Sequence, residues 1–347
     1  MSNDIKISSH TGFQPLKEVW VGNVYPESFA QAVPLAQQDI FCKISEITQQ
    51  DIKKLVKCLE NLNIKTRLPD FGSVDLYLDY NDNLIKPPIT PRDWAITLHD
   101  HLYITPQYLN QNTGFESTIE EYRSAGAKVT VLDRSCDPLA WVNFPSVVRV
   151  GKDLFVDTNP NILKKIQPIL ESWANTYRVH VGQTGDHSDG IFCPIAPGHI
   201  FSTHYRTGYA DTFPGWEIFC LNDTTIKRQQ YIGHNGGHGK WWIAGMHYAH
   251  FNDFVFDTAK KWIGSACETV FEVNMLVVDE KNIICIAEDD AACRKLESLG
   301  ITPHVIDFKT RGFWDGGIHC LTCDIYRIGN QLDYWPGRGL PGIYYYQ

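Results

Sequence analysis

Residues 147–156 read Val-Val-Arg-Val-Gly-Lys-Asp-Leu-Phe-Val, and a helical segment at 162–174 and a strand-like run at 175–181 follow them. Two apolar runs around a Gly-Lys-Asp turn predict a β-hairpin. Asn175 stands directly after the helical segment, and asparagine tolerates the left-handed backbone conformation in which many helices end. These residues therefore predict one ββαβ unit.

The same order of hairpin, helix and strand recurs along the chain. Hairpins are predicted at 95–104, 192–201 and 275–284, and a strand at 16–21 opens the first unit. Helices followed by strands are predicted at 50–62 with 63–68, 117–125 with 126–132, 290–299 with 300–306, and more weakly at 213–219. Such units cannot bury their apolar faces alone and must pack around a common axis. We therefore predict an α/β protein, a five-bladed α/β propeller of ββαβ units with pseudo-five-fold symmetry.

No linker divides the chain, so we predict a single catalytic domain over residues 1–347. The Gly-, His- and Trp-rich segment 222–254 is predicted to be a loop inserted between units four and five. Its four histidines allow a metal-site interpretation, because histidine is a common metal ligand. Its glycines and the lack of a nearby cysteine favour a lid over the active site instead.

Composition limits the classes of partner and location. The chain has 347 residues, a net charge of -9 and a pI near 5.8, which argues against nucleic-acid binding. No apolar run approaches the roughly 18 residues of a membrane span, and the N-terminus lacks an apolar signal core. We therefore expect no membrane partner and a cytoplasmic location. The ten cysteines are spread along the chain, and most are expected to be reduced and buried.

The most reactive-looking segment runs from Gly316-Gly317 through His319-Cys320 into an apolar run that predicts a buried strand. A thiol at the mouth of a glycine turn is well placed to act as a nucleophile, once a base or a lowered pKa supplies the thiolate. Other interpretations stay open at this point. Cys320 and Cys323 could be small buried hydrophobic residues, a redox pair or half of a zinc site.

Turn residues at comparable places in different units are expected to converge on the axis. Asp93, Asn143, His187, Asp189 and Cys320 occupy such places. A thiolate can add to a planar electrophilic carbon, His187 can transfer protons, and the carboxylates of Asp93 and Asp189 suit the donor-only fork of a guanidinium. The alternatives are a turn cap for Asp93 and a hydrogen-bonded core histidine for His187.

At these residues the chain resembles a known family. The segment 316–324, continuing to 334, is similar to the catalytic-cysteine segment of the amidinotransferases, which include the glycine amidinotransferases of the guanidino-group-modifying superfamily. The segment 187–192 resembles that family's His-x-Asp segment, and 91–93 its Pro-Arg-Asp segment. The strands at 148–155 and 273–281 resemble those of its third and fifth units. The resemblance extends from about residue 16 to residue 334.

The resemblance implies a five-bladed α/β propeller and a function. Cys320 would be the nucleophile that forms a covalent amidino-thioether with an arginine-like donor, before an amine acceptor takes the amidino group. His187 would act as acid and base, and Asp93 and Asp189 would hold the guanidinium. Arg206 would hold the donor's carboxylate. No metal or organic cofactor is implied.

Two positions depart from the family's pattern. Asn143 stands where the family has an Asp or Glu, and Glu268 stands where it has a Ser. A neutral amide offers no charge to a guanidinium, whereas Glu268 could restore one from another wall. We count Asn143, Glu268, Arg206 and His319 as candidate substrate-binding residues. The departures leave open a different acceptor, a hydrolase of the deiminase or dihydrolase type, and a catalytically altered binding protein; the oligomeric state, a homodimer included, is also open.

Overall fold

The computed structural model describes residues 5–105, 112–133, 135–182, 187–206, 208–221, 251–259, 262, 272–286, 290–314 and 316–346. The strands are β1 Leu16–Val21, β2 Lys65–Arg67, β3 Ala95–Leu98, β4 His101–Ile104, β5 Lys128–Val131, β6 Val147–Val150, β7 Asp153–Asp157, β8 Arg178–Gly182, β9 Phe192–Ala196, β10 His199–Ser202, β11 Glu217–Cys220, β12 Leu276–Val277, β13 Asn282–Cys285, β14 Thr302–Val305, β15 Thr322–Arg327 and β16 Gly342–Tyr345. The α-helices are α1 Gln38–Asn61, α2 Glu116–Ser124, α3 Pro160–Trp173, α4 Tyr209–Thr212, α5 Phe251–Asp253, α6 Asp290–Ser298 and α7 Arg311–Trp314.

The strands form five small sheets, which confirms the predicted five-bladed α/β propeller. Four sheets have three strands each, in the orders β15-β1-β2, β3-β4-β5, β9-β10-β11 and β12-β13-β14. In every sheet a hairpin-like antiparallel pair is followed by a parallel third strand, as a ββαβ unit requires. The remaining sheet has the order β16-β8-β7-β6, so a C-terminal strand that the sequence did not predict extends this blade.

One blade contains strands from both ends of the chain. Strand β1, near the N-terminus, pairs antiparallel with β15, near the C-terminus, and Trp20 lies opposite Cys323. The first blade is therefore completed only when the end of the chain returns to its beginning. Cys320 lies just before β15, the strand that completes this blade.

Local sequence signals explain the third unit. Pro160 occupies the first turn of α3, where its missing N–H costs no helical hydrogen bond. The side chain of Asn159 caps this helix by accepting hydrogen bonds from the backbone N–H groups of Asn161 and Ile162, at 3.1 and 3.0 Å. Ile166 and Leu170 are buried on the face of α3 that packs on the sheet.

Two predicted elements had wrong boundaries or lengths. The first helix was predicted over 50–62, but α1 begins at Gln38, and its buried residues Ile40, Phe41 and Ile44 continue the same apolar face. The fourth unit has only the one-turn helix α4 between β10 and β11. Most of the predicted insertion 222–254 lies outside the described residues; of its last residues, Phe254 is buried in the core against Trp262.

A buried carboxylate ties the blades together near the axis. Asp324 of β15 pairs with Arg92 at 2.6 Å, Arg149 at 2.7 Å and Arg327 at 2.9 Å, and it accepts a hydrogen bond from the Ser9 hydroxyl at 2.7 Å. Burial raises the pKa of Asp324, but the positive charges of Arg149, Arg92 and Arg327 outweigh it and hold the pKa well below its usual range. Residues from separate blades therefore share one charge network.

Candidate active site

Three short 3-10 turns lie next to one another at the inner ends of the blades. They are Pro91–Asp93, Phe144–Ser146 and Ser188–Gly190, and the middle turn contacts the other two. The first of them also contacts β15, the strand that follows Cys320. The topology thus brings turns that are about 50 residues apart in sequence into one ring, as the repeat pattern predicts.

Cys320 lies in a hydrogen-bonded turn that leads into β15. The backbone N–H of Leu321 donates to the Gly317 carbonyl at 3.1 Å, and that of Thr322 donates to the His319 carbonyl at 3.1 Å. The hydroxyl of Thr322 also donates to the carbonyl of Ile318 at 2.8 Å. The side chain of Cys320 is 5% exposed, so the turn presents its sulfur to a nearly closed site.

The surroundings of the Cys320 sulfur disfavour its ionisation. Burial raises the pKa of the Cys320 thiol, and the negative charges of Asp189 and Asp93 raise it further, to a value well above the ordinary range. The Sγ atom lies 3.5 Å from Oδ2 of Asp189, to which the thiol donates. A thiolate therefore needs a compensating positive charge in this site.

Asp189 connects the thiol with a histidine. Its Oδ2 lies 2.7 Å from Nδ1 of His319, while its Oδ1 is buried and has no hydrogen-bond partner among the described residues. Burial raises the pKa of this carboxyl, but the hydrogen bond from His319 and the charges of His319, His187 and Arg92 lower it below its usual value. Burial also lowers the pKa of His319, and the positive charge of Arg92 lowers it further. The hydrogen bond with Asp189 and the charge of Asp189 raise it.

Asp93 has its own partners in the first of the three turns. Its Oδ2 accepts a hydrogen bond from the Thr90 hydroxyl at 2.6 Å and lies 3.6 Å from Nζ of Lys86. The contact with Thr90 joins two side chains, and no side-chain hydrogen bond caps the start of this turn. The negative charge of Asp93 also raises the pKa of Cys320, so this carboxylate disfavours the thiolate.

His187 and Asn143 border the ring of turns. His187 directly precedes the Ser188–Gly190 turn, and its charge lowers the pKa of Asp189. Asn143 directly precedes the Phe144–Ser146 turn, where its carbonyl accepts a hydrogen bond from the Ser146 N–H at 2.9 Å. Both residues are half-buried.

Arg206 lies in the wall of a separate cavity of about 430 Å3. Ser188 and Phe192 also line that cavity, and Phe192 further lines a small axial cavity beside Asp189 and His319. Nε of Arg206 is buried without a hydrogen-bond partner among the described residues. Arg206 therefore lines a different cavity from Asp189 and His319, and Phe192 lines both cavities. Glu268 and the four histidines of the predicted lid lie outside the described residues.

Sequence reasoning missed Asn274, which precedes β12. Its side-chain Nδ2–H donates to Cys320 Sγ at 3.0 Å, and its Oδ1 accepts from the Cys320 backbone N–H at 3.0 Å. The available signal was a polar residue between Val273 and Met275, directly before a buried strand.

Cys323 is fully buried, as expected of a small buried hydrophobic residue. Its thiol donates to the Ala95 carbonyl at 3.3 Å, and both Cys320 and Cys323 are free. Across the parts of the chain that the structure describes, no group of three or more His, Cys, Asp or Glu side chains could hold a metal ion. In the same parts, no helix has the length and apolar character needed to cross a bilayer.

The fold places this chain in a structural class whose solved members include transferases and hydrolases. An amidinotransferase of the saxitoxin biosynthetic pathway from Microseira wollei matches 95% of the chain and 99% of its own, with a TM-score of 0.65 and 17% identity. Dimethylarginine dimethylaminohydrolase matches 89% of this chain and 99% of its own, with a TM-score of 0.53 and 14% identity. At these identities the matches establish the fold.

The chain is also similar in sequence to glycine amidinotransferases. The chain is 20% identical over 365 residues to the mitochondrial glycine amidinotransferase of Gallus gallus, which covers 96% of this chain and 78% of the relative. No protein-family model matches the chain. The resemblance to amidinotransferases that the motifs indicated is thus confirmed over nearly the whole chain.

Proposed function

We propose that the protein is a cysteine-dependent amidinotransferase, which moves an amidino group from an arginine-like donor to an amine through an amidino-Cys320 intermediate. The observation that carries the proposal is the position of the Cys320 sulfur, 3.5 Å from the Asp189 carboxylate and within the field of Asp93. Two carboxylates beside a nucleophile suit a planar cation that carries an electrophilic carbon. The likeness to glycine amidinotransferases supports the same reaction.

The negative charges around the sulfur mean that a bound cationic substrate would help to activate the Cys320 nucleophile. Without a substrate, Asp189 and Asp93 oppose ionisation of the Cys320 thiol. A bound guanidinium would neutralise part of that negative charge and stabilise the thiolate. The site would therefore form its nucleophile only when the donor is present, which limits side reactions of the thiol.

The reaction then has two balanced halves. In the first, the thiolate attacks the guanidinium carbon, a C–S bond forms, the bond to the donor's amine breaks, and the departing nitrogen takes a proton. In the second, the acceptor's amine attacks the same carbon, the acceptor loses a proton, and the C–S bond breaks with return of its electron pair to sulfur. We assign these proton transfers to His187, with His319 and Asp189 forming a further proton-accepting pair beside the sulfur.

Arg206 is proposed to bind the end of the donor that is remote from the reaction. Its guanidinium suits a carboxylate, and its Nε is without a partner among the described residues. Asn143 is proposed to contact the substrate as a neutral hydrogen-bonding group. Because its amide carries no charge, the grip on the guanidinium depends on Asp93 and Asp189.

The deciding experiment is intact-protein mass spectrometry after mixing with arginine and rapid acid quenching. We expect the wild-type protein to gain one amidino group and the Cys320→Ala protein to gain none. Cys323→Ala is the matched control, since this second buried cysteine stands three residues away and donates to a backbone carbonyl instead. It should keep the adduct. An adduct that survives in Cys320→Ala would overturn the proposed nucleophile.

Product analysis separates transfer from hydrolysis. With a suitable amine, transfer yields ornithine and a new guanidine. Attack of water on amidino-Cys320 would yield ornithine and urea, whereas a deiminase-type reaction, in which ammonia is the first leaving group, yields ammonia and a ureido product. Hydrolysis is the second candidate, because dimethylarginine dimethylaminohydrolase has the same fold. If arginine and related guanidines were neither bound covalently nor consumed, a non-catalytic binding role would replace both candidates.

A further inference from the structure

Asn274 holds the candidate nucleophile from two sides. It is 1% exposed, and its amide donates to Cys320 Sγ while accepting from the Cys320 backbone N–H, both at 3.0 Å. The Asn274 carbonyl accepts from the backbone N–H of His319 at 3.3 Å. The backbone and side chain of one residue thus fix both members of the His319-Cys320 pair.

We propose that Asn274 is a further catalytic residue, whose amide N–H stabilises the Cys320 thiolate and so drives both formation and breakdown of the covalent intermediate. The catalytic part of this inference rests on the proposed function and names one more residue of the same site. The effect on the thiolate does not depend on which guanidine, if any, is the substrate.

The orientation of the amide follows from its contacts. The Cys320 backbone N–H is a donor only, so the atom of Asn274 that faces it must be the oxygen. The nitrogen then faces the sulfur, and it also donates to the Asp189 carbonyl at 3.3 Å. The amide therefore cannot turn over without losing hydrogen bonds at both ends.

The N–H of Asn274 and the two carboxylates have opposite effects on the charge of the sulfur. Asp189 and Asp93 disfavour a negative sulfur, whereas the hydrogen bond from Asn274 favours it. Hydrogen bonds to ionised acceptors are stronger than those to neutral ones. The N–H of Asn274 is therefore worth more to the thiolate than to the thiol or to the uncharged thioether sulfur of the intermediate.

This difference matters in each half of the reaction. In the first half the N–H lowers the free energy of the attacking thiolate species relative to the thiol, which raises its population. In the second half the departing sulfur regains its electron pair, and the N–H stabilises the charge as it develops. One fixed donor thus serves the nucleophile and the leaving group, which are the same atom.

The test titrates Cys320 without any guanidine. The rate of alkylation by iodoacetamide is followed between about pH 6 and pH 9, below the raised pKa of the Cys320 thiol, where the rate is proportional to the thiolate population. Peptide mass mapping reports modification of Cys320 separately from that of the other cysteines. For Asn274→Ala we expect the rate profile of Cys320 to shift up by at least about one pH unit, which means a roughly tenfold lower thiolate population and alkylation rate at each pH.

Thr322→Val is the matched control. The Thr322 hydroxyl stabilises the same turn by donating to the carbonyls of Ile318 and His319, at 2.8 and 3.3 Å, yet it gives the sulfur no hydrogen bond. Loosening of the turn alone should change the stability of both variants but leave the rate profile of Cys320 in Thr322→Val in place. An equal shift in the two variants, or no shift in Asn274→Ala, would overturn the inference.

Asn274→Asp gives a second variant that keeps the size of the side chain and the acceptor for the Cys320 N–H. We expect a larger upward shift than in Asn274→Ala, because the donor is replaced by a third carboxylate beside the sulfur. An unshifted profile in this variant would also overturn the inference. If the Asn274 variants show the expected shift but the wild-type protein consumes no guanidine, the result would support the hydrogen bond to the thiolate. It would then count against the proposed function alone.

Discussion

At Gly317 the backbone approaches Asn274 so closely that no side chain fits. A Cβ at this position would lie 2.7 Å from Cβ, the backbone oxygen and Oδ1 of Asn274. Two of these atoms belong to the groups that hold His319 and Cys320. The glycine is therefore required by a contact between blades.

We predict that Gly317→Ala destabilises the protein by about 1–3 kcal/mol, the usual cost of forcing extra atoms into a packed core. The same change should slow alkylation of Cys320, because Asn274 must move. Gly337→Ala is the control, since no atom lies within 4 Å of the Cβ it would add. Urea unfolding of the two variants measures the difference, and equal midpoints would contradict the prediction.

Among the elements, β16 differs from the repeat. It adds a fourth, edge strand to the third blade, parallel to β8, with Gly342 opposite Arg178 and Tyr345 opposite Val181. The backbone N–H of Gly342 donates to the Tyr177 carbonyl at 3.1 Å, and that of Tyr346 donates to the Val181 carbonyl at 2.9 Å. By the two-residue period of a strand, the N–H of Tyr344 points to the sheet and that of Tyr345 points away.

We therefore predict that Tyr344→Pro releases the C-terminal strand, whereas Tyr345→Pro leaves it paired. Proline lacks the N–H that the inner position must donate, and an outward-facing position on an edge strand tolerates it. Limited proteolysis with mass detection of the C-terminal peptide measures the release. Equal protease resistance of the two variants would count against this pairing.

Over the whole molecule, buried histidines couple stability to pH. Burial lowers the pKa of His10, His101, His180 and His319 below the ordinary value. The unfolded chain then binds more protons than the folded one as the pH falls through about 6.5. The stability from these groups is fully present above that pH and is lost as the pH falls towards their folded pKa values.

We predict that the urea midpoint falls between about pH 7 and pH 5, in the window set by the unfolded histidine pKa of about 6.5. His180→Gln should flatten this dependence, because burial lowers the pKa of His180 in spite of its hydrogen bond with Asp153 at 2.7 Å. A midpoint that stays constant or rises on acidification would contradict the assignment of neutral buried histidines.

The sequence alone predicted the ββαβ units, because hairpins, helix ends and apolar runs are local patterns. It also predicted Cys320, Asp189, His187 and Asp93 as site residues, since they occupy equivalent turns. The start of α1 at Gln38 was not predicted, although Ile40, Phe41 and Ile44 continue its helical period. Local patterns extend over a few residues, and these features need no more.

Only the tertiary structure decided which groups meet. Asn274 reaches Cys320 across 46 positions of sequence, His319 reaches Asp189 across 130, and Arg149 reaches Asp324 across 175. Likewise, β16 pairs with β8, which lies more than 160 residues earlier in the sequence. Such contacts depend on how the blades pack around the axis and on the register of their strands, and no local period encodes either one.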